Sequence, residues 1–109
     1  MKTIAAFLLL GASAFAVEPK VHRDLAYAES MTERQTLDVY APAEGKDHPV
    51  VFWIHGGGWQ AGDKAEVQVK PQALVDQGYV FVSTNYRLVP NATIKQMAGD
   101  IARSIGWIH

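Results

Sequence analysis

Two short apolar segments, separated by a helical signal, restrict the folds open to this chain. Residues 50–54 read VVFWI and residues 79–83 read YVFVS. A continuous apolar run of this length is typical of a strand buried on both faces, as in a parallel sheet. Between the runs, Pro71 suits the first residue of a helix and Gly78 its stop. Since parallel strands need a crossover connection, the pattern predicts a strand–helix–strand unit.

The flanking segments extend this unit into an α/β domain. Residues 35–40 alternate polar and apolar side chains, as a half-buried strand does, and residues 21–27 are a weaker candidate for an edge strand. Near the C-terminus, helical spacing places on one face Ile94, Met97, Ala98, Ile101, Ile105 and Ile108. The predicted fold class is therefore α/β, with two antiparallel strands leading into strand, helix, strand and helix on a mostly parallel sheet.

The composition excludes several kinds of site. The chain has 10 basic and 11 acidic residues, a formal net charge of −1 and no run of like charge, which excludes a strongly basic nucleic-acid binder. Cysteine is absent, so the chain has no disulfide framework, thiolate metal site or cysteine nucleophile. The four histidines, at positions 22, 48, 55 and 109, lie too far apart for the usual zinc spacings. We expect no metal site.

The first sixteen residues have the pattern of a secretory signal peptide. Lys2 supplies the positive charge, residues 4–10 form a short apolar core, and Ala14-Phe15-Ala16 fits the small-x-small cleavage pattern. The apolar stretch ends at Val17, which is too short for the ~20 residues that a membrane span needs. We expect cleavage after Ala16, export to the periplasm or the medium, and no stable membrane anchor.

The motif with the clearest chemical meaning is His55-Gly56-Gly57-Gly58-Trp59, directly after the first apolar run. Each glycine in place of alanine costs roughly 1 kcal/mol in backbone entropy, so three in a row indicate a backbone that must approach another group closely. Such a loop can direct successive N–H groups at one point and stabilise a developing oxyanion. A structural turn and a phosphate cradle are the alternatives, although both common phosphate-loop motifs are missing. The pattern favours an oxyanion loop.

These residues also carry a resemblance to a known family. Residues 51–59 (VFWIHGGGW), 61–64 (AGDK) and 78–88 (GYVFVSTNYRL), preceded by LDVYAP at 37–42, closely resemble the α/β-hydrolase fold. Within it, the chain is similar to the exported carboxylesterases of the hormone-sensitive-lipase and feruloyl-esterase-like group. The resemblance covers residues 27–108.

The resemblance implies roles for the residues of the glycine motif. Gly57 and Gly58 would donate the N–H groups of the oxyanion hole. His55, Gly56 and Trp59 would support the loop: His55 would orient it without being the catalytic histidine. Trp59 would line the acyl-binding side or pack beneath the loop.

The chain departs from the family pattern at the nucleophile. A hydrolase of this kind needs a serine within Gly-x-Ser-x-Gly, followed by an acid and a histidine. The serines stand at positions 13, 30, 83 and 104, and none is framed by two glycines. Ser104 comes nearest, within ARSIG at 102–106, but it lies in a helical pattern and not directly after a strand. We expect residues 17–109 to be an incomplete N-terminal portion of the domain, inactive alone.

The resemblance implies a serine-dependent carboxylic ester hydrolase that acts on a small-molecule ester and needs no cofactor. This chain would supply the oxyanion-hole half. Two alternatives remain open: an amide, formamide or peptide hydrolase of the same fold, and a non-catalytic secreted binding module. The sequence predicts neither the substrate nor the oligomeric state.

Arg87, Asp100 and Asp63 have mainly structural interpretations. Arg87 resembles a structural arginine of the family, and Asp100 on the following helix is its expected ion-pair partner. Asp63 is expected to cap the segment that begins at Lys64. Asn91 begins a pattern for N-glycosylation, Asn91-Ala92-Thr93, which short sequences often contain by chance.

Overall fold

The computed structural model describes residues 18–29 and 32–109. Its elements, in chain order, are β1 (Lys20–Ala26), a 3-10 turn (Glu33–Gln35), β2 (Thr36–Ala41), β3 (Val50–Ile54), helix α1 (Lys70–Val75), β4 (Val80–Thr84) and helix α2 (Ile94–Ile108). The predicted signal peptide and its cleavage site after Ala16 lie outside the described residues.

The four strands form one sheet in the order β1-β2-β4-β3. The β1–β2 and β2–β4 pairs are antiparallel, whereas β3 and β4 run parallel with α1 as the crossover between them. Pro71 lies in the first turn of α1, and Gly78 follows the helix with a φ of 92°. The predicted α/β class and the strand–helix–strand unit are therefore confirmed.

Strand β4 is the centre of the core. Phe81 and Val82 are both fully buried, and they point to opposite faces of the sheet because side chains alternate along a strand. Phe81 packs in a cluster whose other buried members are Tyr40, Val67 and Val75. On the second face, Val82 packs in a cluster with Tyr27 and Leu37, and Ile108 of α2 lies against it. The two helices thus pack against opposite faces of the sheet.

The position of β3 differs from the prediction that this strand is buried on both faces. It lies at the edge of the sheet, and Val50 and Ile54 are 48% and 41% exposed. Within the described part of the chain, no strand pairs with its second edge. The apolar pattern indicates that these side chains are suited to burial. Burial also requires a neighbouring strand, and the pattern alone does not show whether one is present.

The buried face of α2 also differs from the predicted apolar stripe. Met97 is fully buried and Ile101 is half-buried, as expected, but Ile94 and Ile105 are 56% and 45% exposed, and Ala98 is exposed as well. Asp100 and Ser104 are buried in their place. Asp100 faces inward because its carboxylate bonds Arg87 and Gln35. Burial of Ser104 is tolerated because its hydroxyl donates to the Ile101 carbonyl oxygen of its own helix. The spacing of apolar residues in the sequence does not show such hydrogen-bond partners.

Helix α2 begins with a capping box. The Thr93 hydroxyl accepts a hydrogen bond from the Gln96 N–H, and the Gln96 side chain accepts one from the Thr93 N–H. No helix of the described ranges is long and apolar enough to cross a membrane.

Candidate active site

The glycine loop, residues 55–62, leaves the sheet at the carboxyl end of β3. Because β3 and β4 are parallel and Ile54 pairs with Thr84, the carboxyl ends of both strands lie side by side. The segment after β4, residues 85–89, therefore lies beside the loop. The Val89 N–H donates a hydrogen bond of 3.0 Å to the Trp59 carbonyl oxygen, which ties the two segments together.

At two positions of this loop the backbone packs so closely against another backbone segment that only glycine fits. A side chain at Gly57 (φ 135°) would collide with the carbonyl oxygen of Ala61, and one at Gly62 (φ 105°) would collide with the carbonyl oxygen of Gly56. Gly58 has a φ of 62° but faces open space, so only its backbone conformation favours glycine there. Gly62 stands in the AGDK segment at 61–64, but no role in the loop was predicted for it from the sequence.

The carbonyl groups of the loop determine where its N–H groups point. The Gly56 carbonyl accepts a hydrogen bond of 2.8 Å from His55 Nδ1, and the Gly57 carbonyl accepts bonds of 3.1 Å from the N–H groups of Gln60 and Ala61. In a planar trans peptide the next N–H points the opposite way. The N–H groups of Gly57 and Gly58 therefore point away from these partners, and neither donates a hydrogen bond to any residue that the structure describes.

His55 lies buried beneath the loop. It is 3% exposed, and its ring stacks on that of Tyr86 with the ring centres 4.6 Å apart. The Tyr86 hydroxyl donates a hydrogen bond of 2.7 Å to the His55 carbonyl oxygen. Burial raises the pKa of this phenol, against the opposing effect of the Arg34 charge. Trp59 is 45% exposed, and its ring lies 6.4 Å from that of Tyr86, centre to centre, in a T-shaped arrangement.

Arg34, from the 3-10 turn before β2, contacts the segment after β4 and both ends of the glycine loop. Its Nε donates to the Tyr86 carbonyl oxygen at 3.2 Å, its Nη1 to Asp63 Oδ1 at 3.2 Å, and its Nη2 to the Gly62 carbonyl oxygen at 3.0 Å. Nη2 also lies 3.4 Å from His55 Nε2. Arg34 and Tyr86 were not among the candidate residues predicted from the sequence. Tyr86 stands in the quoted NYRL segment, whereas Arg34 carries no local signal.

Asp63 forms the predicted cap. The Ala65 N–H donates to its Oδ2 at 2.9 Å, while the Asn85 amide and Arg34 both bond its Oδ1. Burial by itself would raise the pKa of this carboxyl group. The bonds from Ala65 and Asn85, with the charges of Arg34 and Lys64, hold the pKa below its usual value.

Lys64, which lies two residues after the end of the glycine loop, joins this part of the chain to the sheet. Its Nζ lies 2.7 Å from Asp24 Oδ1 and 2.9 Å from Asp38 Oδ1, so one buried ammonium group joins β1 and β2. Its backbone N–H donates to Asn85 Oδ1 at 2.8 Å, and its carbonyl accepts from the Ser83 hydroxyl. Burial alone would lower the pKa of Lys64, but the two carboxylates raise it overall.

The structure also tests the remaining candidate residues. Arg87 bonds both carboxylate oxygens of Asp100, at 2.9 and 2.8 Å, which confirms the predicted ion pair. Ser104 is fully buried in the middle of α2, and its hydroxyl donates to the Ile101 carbonyl oxygen at 2.7 Å. It has no elbow geometry, which agrees with the helical interpretation of the sequence. Asn91 is exposed beside the Thr93 cap of α2.

Comparison with known proteins identifies the family. The family model described as BD-FAE matches residues 37–109, which include most of β2, the glycine loop and α2. The chain belongs to the BD-FAE family. The predicted resemblance to α/β-hydrolase esterases is confirmed at this level.

Curated relatives of this BD-FAE chain include two kinds of hydrolase. The chain is 35% identical over 83 residues to a kynurenine formamidase of Danio rerio, covering 75% of this chain and 28% of the relative. It is 31% identical over 90 residues to a probable isoprenylcysteine alpha-carbonyl methylesterase of Oryza sativa subsp. japonica, covering 82% and 21%. The chain thus spans less than a third of the length of these relatives.

Solved structures agree with this BD-FAE assignment. Esterase B from Lactobacillus rhamnosis (HN001) superimposes with a TM-score of 0.72 at 31% identity, over 85% of this chain and 30% of that chain. A bifunctional GH43-CE protein of Bacteroides eggerthii also has a TM-score of 0.72 at 31% identity, over 81% of this chain and 12% of that chain. The sheet described above therefore has the α/β-hydrolase fold of these solved esterases.

Proposed function

We propose that this chain is the N-terminal part of a serine-dependent carboxylic ester hydrolase and carries its oxyanion hole. The observation that supports this proposal is the orientation of Gly57 and Gly58. Their N–H groups lie after the carboxyl end of a parallel strand, point away from the partners of the Gly56 and Gly57 carbonyl groups, and bond no described residue. Two such donors are what a developing oxyanion requires.

In the proposed mechanism, a serine outside this chain attacks the carbonyl carbon of a small ester. Negative charge develops on the carbonyl oxygen, and the N–H groups of Gly57 and Gly58 stabilise it. Collapse of the tetrahedral intermediate expels the alcohol and leaves an acyl-enzyme, which water then hydrolyses. His55 holds the loop and is not the base, since both its ring nitrogens face partners within the site.

Hydrolysis of a formamide or another amide is the second candidate. It is favoured by the identity of 35% to the kynurenine formamidases of Danio rerio and Salmo salar. Ester and amide hydrolysis pass through the same type of tetrahedral intermediate, so one oxyanion hole serves both. The reactions differ in the leaving group, whose pocket this segment does not define.

The test uses the full-length protein that carries this chain, at the length of its relatives. Hydrolysis of p-nitrophenyl acetate and butyrate is measured beside that of an N-formyl aromatic amine, and the protein is treated with a fluorophosphonate. We expect ester turnover and labelling of one serine. Faster turnover of the formamide would favour the second candidate. Neither turnover nor labelling would contradict both candidates and favour the non-catalytic binding module.

We also propose that the protein is exported after cleavage behind Ala16, on the pattern of residues 1–16. N-terminal sequencing of the protein from the periplasm or the medium of an expressing cell should give Val17 as the first residue. A cytoplasmic protein that retains Met1 would contradict export.

A further inference from the structure

A single nitrogen of Arg34 touches both ends of the glycine loop. Nη2 lies 3.0 Å from the carbonyl oxygen of Gly62, where the loop ends, and 3.4 Å from Nε2 of His55, where the loop begins. The backbone of Gly62 packs directly against the His55 ring, since a side chain at Gly62 would collide with Nδ1. Arg34 therefore holds together the two ends of the loop whose tip carries Gly57 and Gly58.

The same contact determines which tautomer of His55 is present. A guanidinium group only donates hydrogen bonds, so His55 Nε2 must accept from Arg34. The Gly56 carbonyl oxygen only accepts, so the ring proton must lie on Nδ1, 2.8 Å away. The two contacts require the same tautomer, with hydrogen on Nδ1 and a lone pair on Nε2.

The tautomer in turn orients a peptide group of the loop. The Nδ1–H bond holds the Gly56 carbonyl towards the His55 ring, and planarity turns the N–H of Gly57 to the opposite side. If the proton moved to Nε2, two lone pairs would face each other at 2.8 Å and the peptide would be driven to rotate. Gly56 and Gly57 offer little resistance to rotation, because neither has a side chain.

We propose that Arg34 is a positioning residue, which selects the Nδ1–H tautomer of His55 and thereby holds the Gly57 N–H in its outward orientation. Its effect on catalysis rests on the proposed function of Gly57 as an oxyanion donor. Arg34 touches no reacting atom in this proposal. It acts through His55 and the Gly56–Gly57 peptide.

The first test reads the tautomer and needs no substrate. Long-range ¹H–¹⁵N correlation spectra of the full-length protein, labelled at histidine, report which ring nitrogen of His55 carries hydrogen. We expect Nδ1 in the parent, and mixed tautomers in Arg34→Ala and Arg34→Lys. Arg23→Ala is the matched control, because Arg23 bonds Tyr40 and approaches Asp38 but contacts no residue of the described glycine loop. Hydrogen on Nε2 in the parent, or an unchanged tautomer in both folded Arg34 variants, would overturn the proposal.

The second test measures catalysis on the same proteins. For Arg34→Ala we expect kcat to fall about 10²-fold, the scale of one lost oxyanion donor, with KM within about twofold. Added ethylguanidinium should restore part of kcat, whereas urea should not. A loss in KM alone, or no restoration in a protein that circular dichroism shows to be folded, would contradict a positioning role. If Arg34→Ala does not fold, kcat and KM are compared between the parent and Arg34→Lys instead.

The two tests separate the inference from the proposed function. A parent protein that hydrolyses neither esters nor amides would overturn the proposed function, while the spectra would still decide whether Arg34 selects the His55 tautomer.

Discussion

The hydroxyl of Tyr86 donates a hydrogen bond of 2.7 Å to the carbonyl oxygen of His55, and the two rings stack with their centres 4.6 Å apart. His55 immediately follows β3 and Tyr86 follows β4 by two residues, so this side-chain contact lies just beyond the last ladder pair, Ile54 with Thr84. The base of the glycine loop is thus bound to the neighbouring strand.

The first prediction concerns this bond. Tyr86→Phe keeps the stacked ring but removes the only side-chain donor to the His55 carbonyl oxygen among the described residues. We expect the free energy of unfolding to fall by about 1–3 kcal/mol, the penalty for a buried acceptor without a partner. Urea unfolding of the full-length protein measures it. Tyr79→Phe is the control, since the Tyr79 hydroxyl bonds no described residue, and an equal effect in both variants would contradict the argument.

The ion pair between Arg87 and Asp100 gives the second prediction. Asp100 is fully buried and also accepts a hydrogen bond from the Gln35 amide. Asp100→Ala removes the acceptor of four donor groups, the Gln35 amide and the backbone N–H, Nε and Nη2 of Arg87, and we expect a loss of about 3 kcal/mol in the free energy of unfolding. Arg103 lies 3.8 Å from the same carboxylate but is 55% exposed, so Arg103→Ala should cost less than about 1 kcal/mol.

If the Asp100→Ala loss is no larger than the Arg103→Ala loss, the buried pair with Arg87 does not stabilise the fold. Both values come from chemical unfolding of the full-length protein, followed by tryptophan fluorescence.

The third prediction compares the glycines of the loop. Gly57→Ala collides with the Ala61 carbonyl oxygen, so the loop must move, and we expect kcat to fall about 10²–10³-fold with little change in KM. Gly58→Ala meets open space and only strains a positive φ, at roughly 1–2 kcal/mol, so its loss should be smaller. Gly56→Ala is the control in the same loop, without collision or positive φ. Equal kcat in all three variants would refute the proposed role of the loop.

The fourth prediction is a loss of stability in acid. Burial opposes ionisation of Asp63 and Asp100, but their hydrogen bonds and the nearby arginines lower both pKa values below the usual 3.8. The unfolded chain therefore binds protons more readily than the folded one as the pH falls below about 4. The stabilisation is present above the unfolded pKa and disappears as the pH falls through the folded pKa values. Urea unfolding from pH 7 to pH 2 should show this decline, with a shallower slope in Asp100→Asn.

The fifth prediction concerns the polypeptide of residues 17–109 by itself. It should not hydrolyse p-nitrophenyl acetate above the rate of buffer, because it contains no Gly-x-Ser-x-Gly serine and because Ser104 is buried in α2. Enzymatic turnover that Ser104→Ala abolishes would contradict both the helical interpretation of Ser104 and the proposed role of an external serine.

The sequence by itself determined the α/β class, the strand–helix–strand unit and the position of the glycine loop. These features follow from local signals: apolar runs, proline and glycine at the ends of a helix, and three glycines after a strand. The Arg87–Asp100 pair was also predictable, because the resemblance named the arginine and its partner lies on the next helix. The proposed oxyanion role of Gly57 and Gly58 remains a prediction that activity must test.

Only the tertiary structure decided which residues hold the loop. Arg34 meets Tyr86, which is 52 residues away in the chain, and neither position belongs to a periodic pattern that would link them. Likewise, only the strand order revealed that β3 lies at an edge, and only the ion pair explained why Asp100 faces inward. The hydrophobic pattern of a sequence indicates which individual residues prefer to be buried. The partner that satisfies a buried charge or fixes a histidine tautomer is set by packing between segments distant in sequence.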